Sequence, residues 1–170
     1  MDRDARIDRL LDKQEITECI LRFARGVDRH DAELARSAYH EGARDDHAMF
    51  VGSGAEVVEW ADGLHDQHFR SHQHYVANVL IELDGDEAHA ESYVIRVGGA
   101  KDSHGHTLGG GRYLDRLERR DGEWRIVDRV LIIEWDDDFG PVADASLASS
   151  QDREDPSYTR PLRVERQSDG

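Results

Sequence analysis

Ten histidines in 170 residues, several beside acidic neighbours, are the first chemical signal in this chain. A neutral imidazole with a pKa of about 6.5 transfers protons well at physiological pH. It needs an orienting group on its second ring nitrogen, and a buried carboxylate both sets the tautomer and stabilises the imidazolium. Asp28 is a candidate, because it continues an inward stripe at a helix's C-terminal end. A negative charge there opposes the helix dipole and serves stability poorly. His72 and His74 share one face of a strand by period two. Asp28 and His74 can pair if the helix end meets that strand, as a catalytic dyad or as a structural ion pair. His72 is then a second pocket group or a rim residue. His47, after Asp45-Asp46, can hydrogen-bond a substrate hydroxyl and protonate a leaving group, or sit in a polar turn. Tyr39 can donate to a substrate or fill core. Arg129 and Arg96, each within a strand, can stabilise an oxyanion or pair with strand carboxylates, Asp115 or Asp128 in the case of Arg129.

Metal chemistry competes for the same histidines. His72-x-His74 resembles the start of a cupin motif, but the next acidic residue is Glu82, too distant for that pattern. His65-x-x-His68 is an i, i+3 helix pair, and His104-x-His106 sits in a Gly-rich stretch. None reaches three ligands at conventional spacing, so no metal site is expected. Gly109-Gly110-Gly111 lacks the Lys-Ser/Thr sequel of a phosphate loop. Cys19 is the single cysteine, which excludes an internal disulfide and a CxxC motif; it reads as core filler.

The elements that must position these groups follow from periodicity. A first helix spans about Asp4 to Val27, with Ile16, Ile20, Phe23 and Val27 on one face. A neighbouring stripe runs Leu10, Thr17, Leu21, Ala24 and Asp28. Asp31 caps a short second helix reaching Tyr39, ended by Glu41-Gly42, and a short strand covers Asp45 to Val51. A third helix runs from Ala55 to Phe69, with Val57, Trp60, Ala61, Leu64 and His68 on one face. The period then changes to two. His72 to Leu83, Glu87 to Val97, Arg112 to Arg119 and Glu123 to Trp135 read as strands, turned by Asp84-Gly85 and Asp121-Gly122. His74, Val76, Asn78 and Leu80 share one face of the first, while Gly98 to Gly111 reads as a loop. Three helices before an antiparallel meander make an α+β fold, with the helices in a strongly curved, cone-shaped sheet whose mouth suits a small apolar ligand. Both strand faces carry apolar residues, which predicts a homo-oligomer.

Charge and composition set limits. The formal net charge is −15, which disfavours nucleic acid and anionic membranes unless a local basic pocket overrides it. No apolar run is long enough to span a bilayer, and the N-terminus lacks an apolar signal region, so a cytoplasmic location is expected. All three prolines fall after residue 140. Residues 1–135 therefore read as one domain and 136–170 as a polar tail or arm.

Three stretches carry a family resemblance. They are Arg25-Gly26-Val27-Asp28-Arg29, His72-Gln73-His74-Tyr75 through Asn78, and Arg119-Arg120-Asp121-Gly122-Glu123-Trp124-Arg125-Ile126 with Arg129. In that order and spacing, over about residues 5–135, the chain resembles the SnoaL-like branch of the nuclear transport factor 2-like superfamily. The branch is represented by hexachlorocyclohexane dehydrochlorinase, scytalone dehydratase and bile-acid 7α-dehydratase. The resemblance implies a cystatin-like α+β barrel, a cofactor-free pocket, and a His–Asp dyad in which His74 removes a proton and Asp28 orients it. Arg129 falls at a pocket arginine of the dehydrochlorinase. His47 stands where the dehydratases carry a tyrosine, and Phe23 where the dehydrochlorinase has a lysine and the bile-acid enzyme a tyrosine. Both departures argue against simple transfer of a relative's substrate.

The expected activity is elimination of water, halide or formaldehyde from a small cyclic or aromatic substrate, in a dimer or trimer. An isomerase of the ketosteroid type and a non-catalytic binding or assembly module are the alternatives.

Overall fold

The computed structural model describes residues 2–102, 105–137 and 158–161. Helix α1 (Arg3–Asp28) starts at Asp2, whose side chain accepts from the Ala5 N–H. The stripe Ile16, Ile20, Phe23 and Val27 is buried as its periodicity predicts, with Cys19 beside it. The neighbouring stripe turns inward only near its C-terminal end: Leu10 and Leu21 are exposed, whereas Ala24 is buried.

Helix α2 (Ala32–Arg36) is shorter than expected, and Tyr39 opens strand β1 (Tyr39–Asp46) instead of ending a helix. The cause is sheet pairing. The Ala38 carbonyl accepts from the Ile126 N–H at 2.9 Å, which draws the chain alongside β6 (Glu123–Asp136). That pairing is parallel, so the sheet is mixed and not wholly antiparallel. The expected strand from Asp45 to Val51 is divided between the end of β1 and a short β2 (Val51–Ser53).

Helix α3 (Gly54–His68) begins with a capping box in which Ser53 and Glu56 satisfy each other's backbone N–H groups. Its buried residues are Gly54, Val57, Val58, Ala61 and His65. The face is thus rotated from the predicted one: His65 points inward and His68 does not.

Strands β3 (Phe69–Asp84), β4 (Glu87–Ala100) and β5 (His106–Arg120) complete a six-stranded sheet in the order β2-β1-β6-β5-β4-β3. The sheet is curved but unclosed, with β2 and β3 at its edges, so the barrel expectation is corrected to an open sheet. A register shift lies between Ala77 and Leu80, and Asn78 has φ 49°. This bulge advances the pleat by one residue. His72, His74 and Val76 face the helices before it, and Val79, Ile81 and Leu83 face them after it. Leu80, expected with His74, faces outward.

Much of the Gly-rich stretch is ladder, not loop: its start belongs to β4, which ends at Ala100, and its end to β5, which begins at His106. Gly98 pairs with Thr107 and Gly110 with Trp135. The glycines serve close approach: a Cβ on Gly98 would lie 2.6 Å from the Phe69 ring, and one on Gly111 only 1.9 Å from the Ile132 carbonyl oxygen. His106 opens β5, and His104 lies outside the described residues.

A cluster centred on Ile16, Ile20, Phe23, Tyr113, Leu117 and Ile126 fills the space between helices and sheet. Leu114, Val130 and Ile132 form a separate buried cluster. Tyr75, Tyr93, Ile95, Leu108 and Trp135 are exposed. The first four are linked by the ladder, with Tyr75 opposite Ile95, Ala77 opposite Tyr93 and Val97 opposite Leu108. Most of the 136–170 tail lies outside the described residues, but Arg160 donates from Nε to Glu82 on β3 at 2.8 Å. No described helix is long and apolar enough to cross a membrane.

Candidate active site

The C-terminal end of α1 meets the start of β3. There the His74 Nδ1–H donates to Asp28 Oδ1 at 2.7 Å, and the His74 backbone N–H donates to Asp28 Oδ2 at 2.9 Å. Both carboxylate oxygens therefore hold one residue. A carboxylate only accepts, so Nδ1 carries the hydrogen and the neutral ring presents its lone pair at Nε2. Nε2 has no partner among the described residues. The pair is mostly buried, at 9% and 11% side-chain exposure, yet both residues line an open groove between α1, α2 and β3. Leu21, Arg22, Arg25, Arg29 and Leu34 also line it.

Histidines back the dyad. His72 donates from Nε2 to the Val27 carbonyl at 3.0 Å, fixing the helix end to the strand. His65 packs at a tilt against His72 with ring centroids 4.1 Å apart, and its ring lies 5.7 Å from that of His74. Burial, then the neighbouring His72, His74 and Arg96, push the His65 pKa down to about 2. Burial likewise lowers His72. His65 is therefore a neutral, apolar-like wall behind the Asp28–His74 pair, and its Nδ1 is buried without a partner among the described residues. Its only sequence signal was the i, i+3 pair with His68. His30 packs edge-on to His72 and bonds Asp62 at 2.6 Å.

A second polar cluster lies deeper. His47 Nδ1–H donates to Asp45 Oδ1 at 2.7 Å, and Tyr39 donates its hydroxyl hydrogen to Asp45 Oδ2. Burial raises the Asp45 pKa, but His47, Arg129 and Tyr39 outweigh it and hold the carboxyl below its ordinary value. Burial and Asp45 together push Tyr39 well up. Arg129 makes a two-pronged bond to Asp115, Nε–Oδ1 at 2.7 Å and Nη2–Oδ2 at 2.8 Å. Both residues are fully buried, so the surface ion pair considered from sequence is an interior one. Arg129 packs over the Phe23 and Tyr113 rings at 4.5 and 4.2 Å, and its Nη1 has no hydrogen-bond partner among the described residues. Phe23 lies 6.0 Å from the His47 ring. The structure thus places Phe23, Tyr39, His47 and Arg129 together, with Asp45 and Asp115 as anchors that the sequence reading did not single out as functional.

Arg96 lies opposite His74 in the β3–β4 ladder and is anchored elsewhere. It donates to Thr107 at 2.8 Å and to Asp136 at 2.8 Å, and covers the Phe69 ring at 5.6 Å. Among the described residues, no three His, Cys, Asp or Glu side chains are grouped to hold a metal ion.

Solved structures of similar fold include three with these relations to the chain. A proposed scytalone dehydratase from Novosphingobium aromaticivorans is 20% identical, with TM-score 0.70, covering 81% of this chain and 97% of its own. Hexachlorocyclohexane dehydrochlorinase LinA-type3 from Novosphingobium barchaimii is 19% identical, with TM-score 0.70, covering 77% and 92%. A cystatin-like protein of unknown function from Nostoc punctiforme is 24% identical, with TM-score 0.64, covering 73% and 92%. At these identities the likeness is one of fold. No curated protein matches the chain. Residues 8–130 match the SnoaL-like domain model. The chain therefore belongs to the SnoaL-like domain family.

Proposed function

We propose that the chain is a cofactor-independent lyase acting on a small cyclic or aromatic substrate. The observation that carries this reading is the His74 Nδ1–Asp28 bond at 2.7 Å, with Nε2 free at the edge of a groove. His74 Nε2 takes a proton from a substrate carbon, and the electron pair of that C–H bond becomes the new double bond. The adjacent leaving group departs with its own bonding pair, as halide, or as hydroxide that collects a proton to become water. In the formaldehyde-releasing variant the proton comes from a hydroxyl, its O–H pair becomes the C=O of formaldehyde, and the pair of the broken C–C bond becomes the new double bond as the adjacent leaving group departs. Asp28 holds the tautomer and balances the imidazolium. His47, oriented by Asp45, is the candidate acid for the leaving group; Tyr39 sets Asp45, and Arg129 Nη1 is the candidate donor to a developing oxyanion. His72 and Phe23 shape the walls, and Arg96 braces the strands beneath Phe69. The dehydratase and dehydrochlorinase names of the fold neighbours support elimination over isomerisation.

The protein works as a homo-oligomer, a dimer or a trimer, joined through the exposed apolar sheet face. The proposed compartment is the cytoplasm.

The test is a screen of halogenated, hydroxylated and diol-bearing cyclic compounds against wild type and His74→Ala, with products identified by mass. A general base is worth ~100-fold or more, so the variant should lose nearly all turnover. Retention of more than about half the rate removes His74 from the mechanism. A rearranged product of unchanged mass would select the isomerase instead.

A further inference from the structure

The groove beside His74 has a charge opposite to that of the protein. Arg22, Arg25 and Arg29 fall at i, i+3 and i+7 along α1 and its cap, so they form one basic stripe. Only Glu18 joins them from the acidic side apart from Asp28, whose two oxygens are both committed to His74. Glu18 in turn accepts from Gln14 at 2.9 Å. Arg25 and Arg29 are exposed and have no carboxylate partner among the described residues. Arg22 gives Nη2 to the Ser37 carbonyl, while its Nε is buried and has no partner among the described residues. The helix C-terminus favours a cation in its last turn. That accounts for Arg25, but not for three guanidiniums in a row on a chain of net charge −15. The apolar lining is Leu21, exposed on α1 beside the arginines, and Leu34, half-buried on α2.

We propose that this groove binds a small aromatic or alicyclic carboxylate. Its anion rests on Arg25 and Arg29, its ring lies on Leu21 and Leu34, and its reacting carbon is offered to His74 Nε2. The inference rests on reading His74 as the base, and it names the substrate class for that base. Guanidinium groups suit a carboxylate because their paired donors match its two oxygens. A cationic groove on an anionic protein also concentrates one class of ligand while the rest of the surface repels it.

The test is binding, not turnover. Benzoate and cyclohexanecarboxylate are titrated against the full chain by calorimetry at low ionic strength, beside benzamide and cyclohexanecarboxamide as neutral counterparts. The carboxylates should bind at least ~10-fold more tightly than the amides, and the advantage should shrink at about 0.5 M salt. Benzoate should shift the His74 imidazole resonances. Arg25→Gln/Arg29→Gln should abolish the preference, Glu18→Gln should strengthen it, and Arg6→Gln/Arg9→Gln, which removes the same two charges at exposed positions elsewhere on α1, should leave it intact. Amides binding as well as carboxylates, absence of saturable benzoate binding, or an unchanged preference in the double variant overturns the proposal. These outcomes are independent of the lyase reading. Benzoate binding with full turnover in His74→Ala sinks the mechanism and spares the groove. Elimination confined to neutral substrates does the reverse.

Discussion

Replacing Asp28 by Asn separates orientation from mere contact. Asp28 accepts two hydrogens, one from the His74 backbone N–H at 2.9 Å and one from the ring Nδ1–H at 2.7 Å. The backbone N–H cannot change its role. The single oxygen of Asn must therefore take it, and the Asn amide then faces the ring nitrogen. Two donors cannot share one bond, so Nδ1 must become the acceptor and the ring proton must move to Nε2. A hydrogen bond to a charged group is worth about 1.5–3 kcal/mol, which biases the wild-type tautomer by roughly 10- to 100-fold. Asn reverses that bias and removes the lone pair that would accept the substrate proton. The side chains are nearly isosteric, so folding should change little. The assay is long-range proton–nitrogen NMR of the imidazoles at about pH 8, where neutral histidine dominates. Wild type should show His74 protonated at Nδ1, and Asp28→Asn should show it protonated at Nε2. Turnover, once a substrate is found, should fall ~100-fold or more. Protonation at Nε2 in wild type, or an unchanged tautomer in Asp28→Asn, would refute the reasoning without any substrate.

Other perturbations probe the frame. Burial holds the folded-state His65 pKa near 2, below the unfolded value of about 6.5, so its stabilising contribution is complete above pH 6.5 and is lost as pH falls; this one residue should cost about 2 kcal/mol between pH 6.5 and 5, and His65→Leu should flatten that part of a denaturation–pH profile. Arg129→Met leaves Asp115 charged and unpaired in the interior, and should lower unfolding free energy by about 3–5 kcal/mol in urea titrations. Gly111→Ala drives a Cβ against the Ile132 carbonyl, which something in the backbone must relieve; a loss of about 3 kcal/mol, or roughly 6–12 °C in melting temperature, is expected. Tyr93→Glu on the apolar outer face should convert the oligomer to monomer in sedimentation at micromolar concentration, and a wild-type monomer would remove the assembly proposal.

The local sequence determined the elements and much of what brings Asp28 and His74 together. A 3.6 period placed Ile16, Ile20, Phe23 and Val27 on the buried face of α1, and a carboxylate at the end of that helix was legible as misplaced for stability. Period two put His72 and His74 on one face, and Asp84-Gly85 and Asp121-Gly122 marked the turns. These are nearest-neighbour properties, set by backbone geometry over a few residues. Contacts between distant segments decided the rest. Tyr39 became a strand residue because β6 offered a partner to Ala38. The bulge at Asn78 reversed the facing of every later residue in β3, which no alternation pattern announces. His65, not Leu64 or His68, turned inward because the packing of α3 set its rotation by a fraction of a turn. Gly98 to Gly111 looked like a loop because composition reports flexibility, whereas Phe69 and Trp135, far away in sequence, required glycine for close approach. The pairing of Asp45 with His47, and the isolation of Arg129 and Asp115 from water, likewise depend on what surrounds them. Burial is a property of the assembled molecule, and it alone turned ordinary charged residues into a fixed polar cluster.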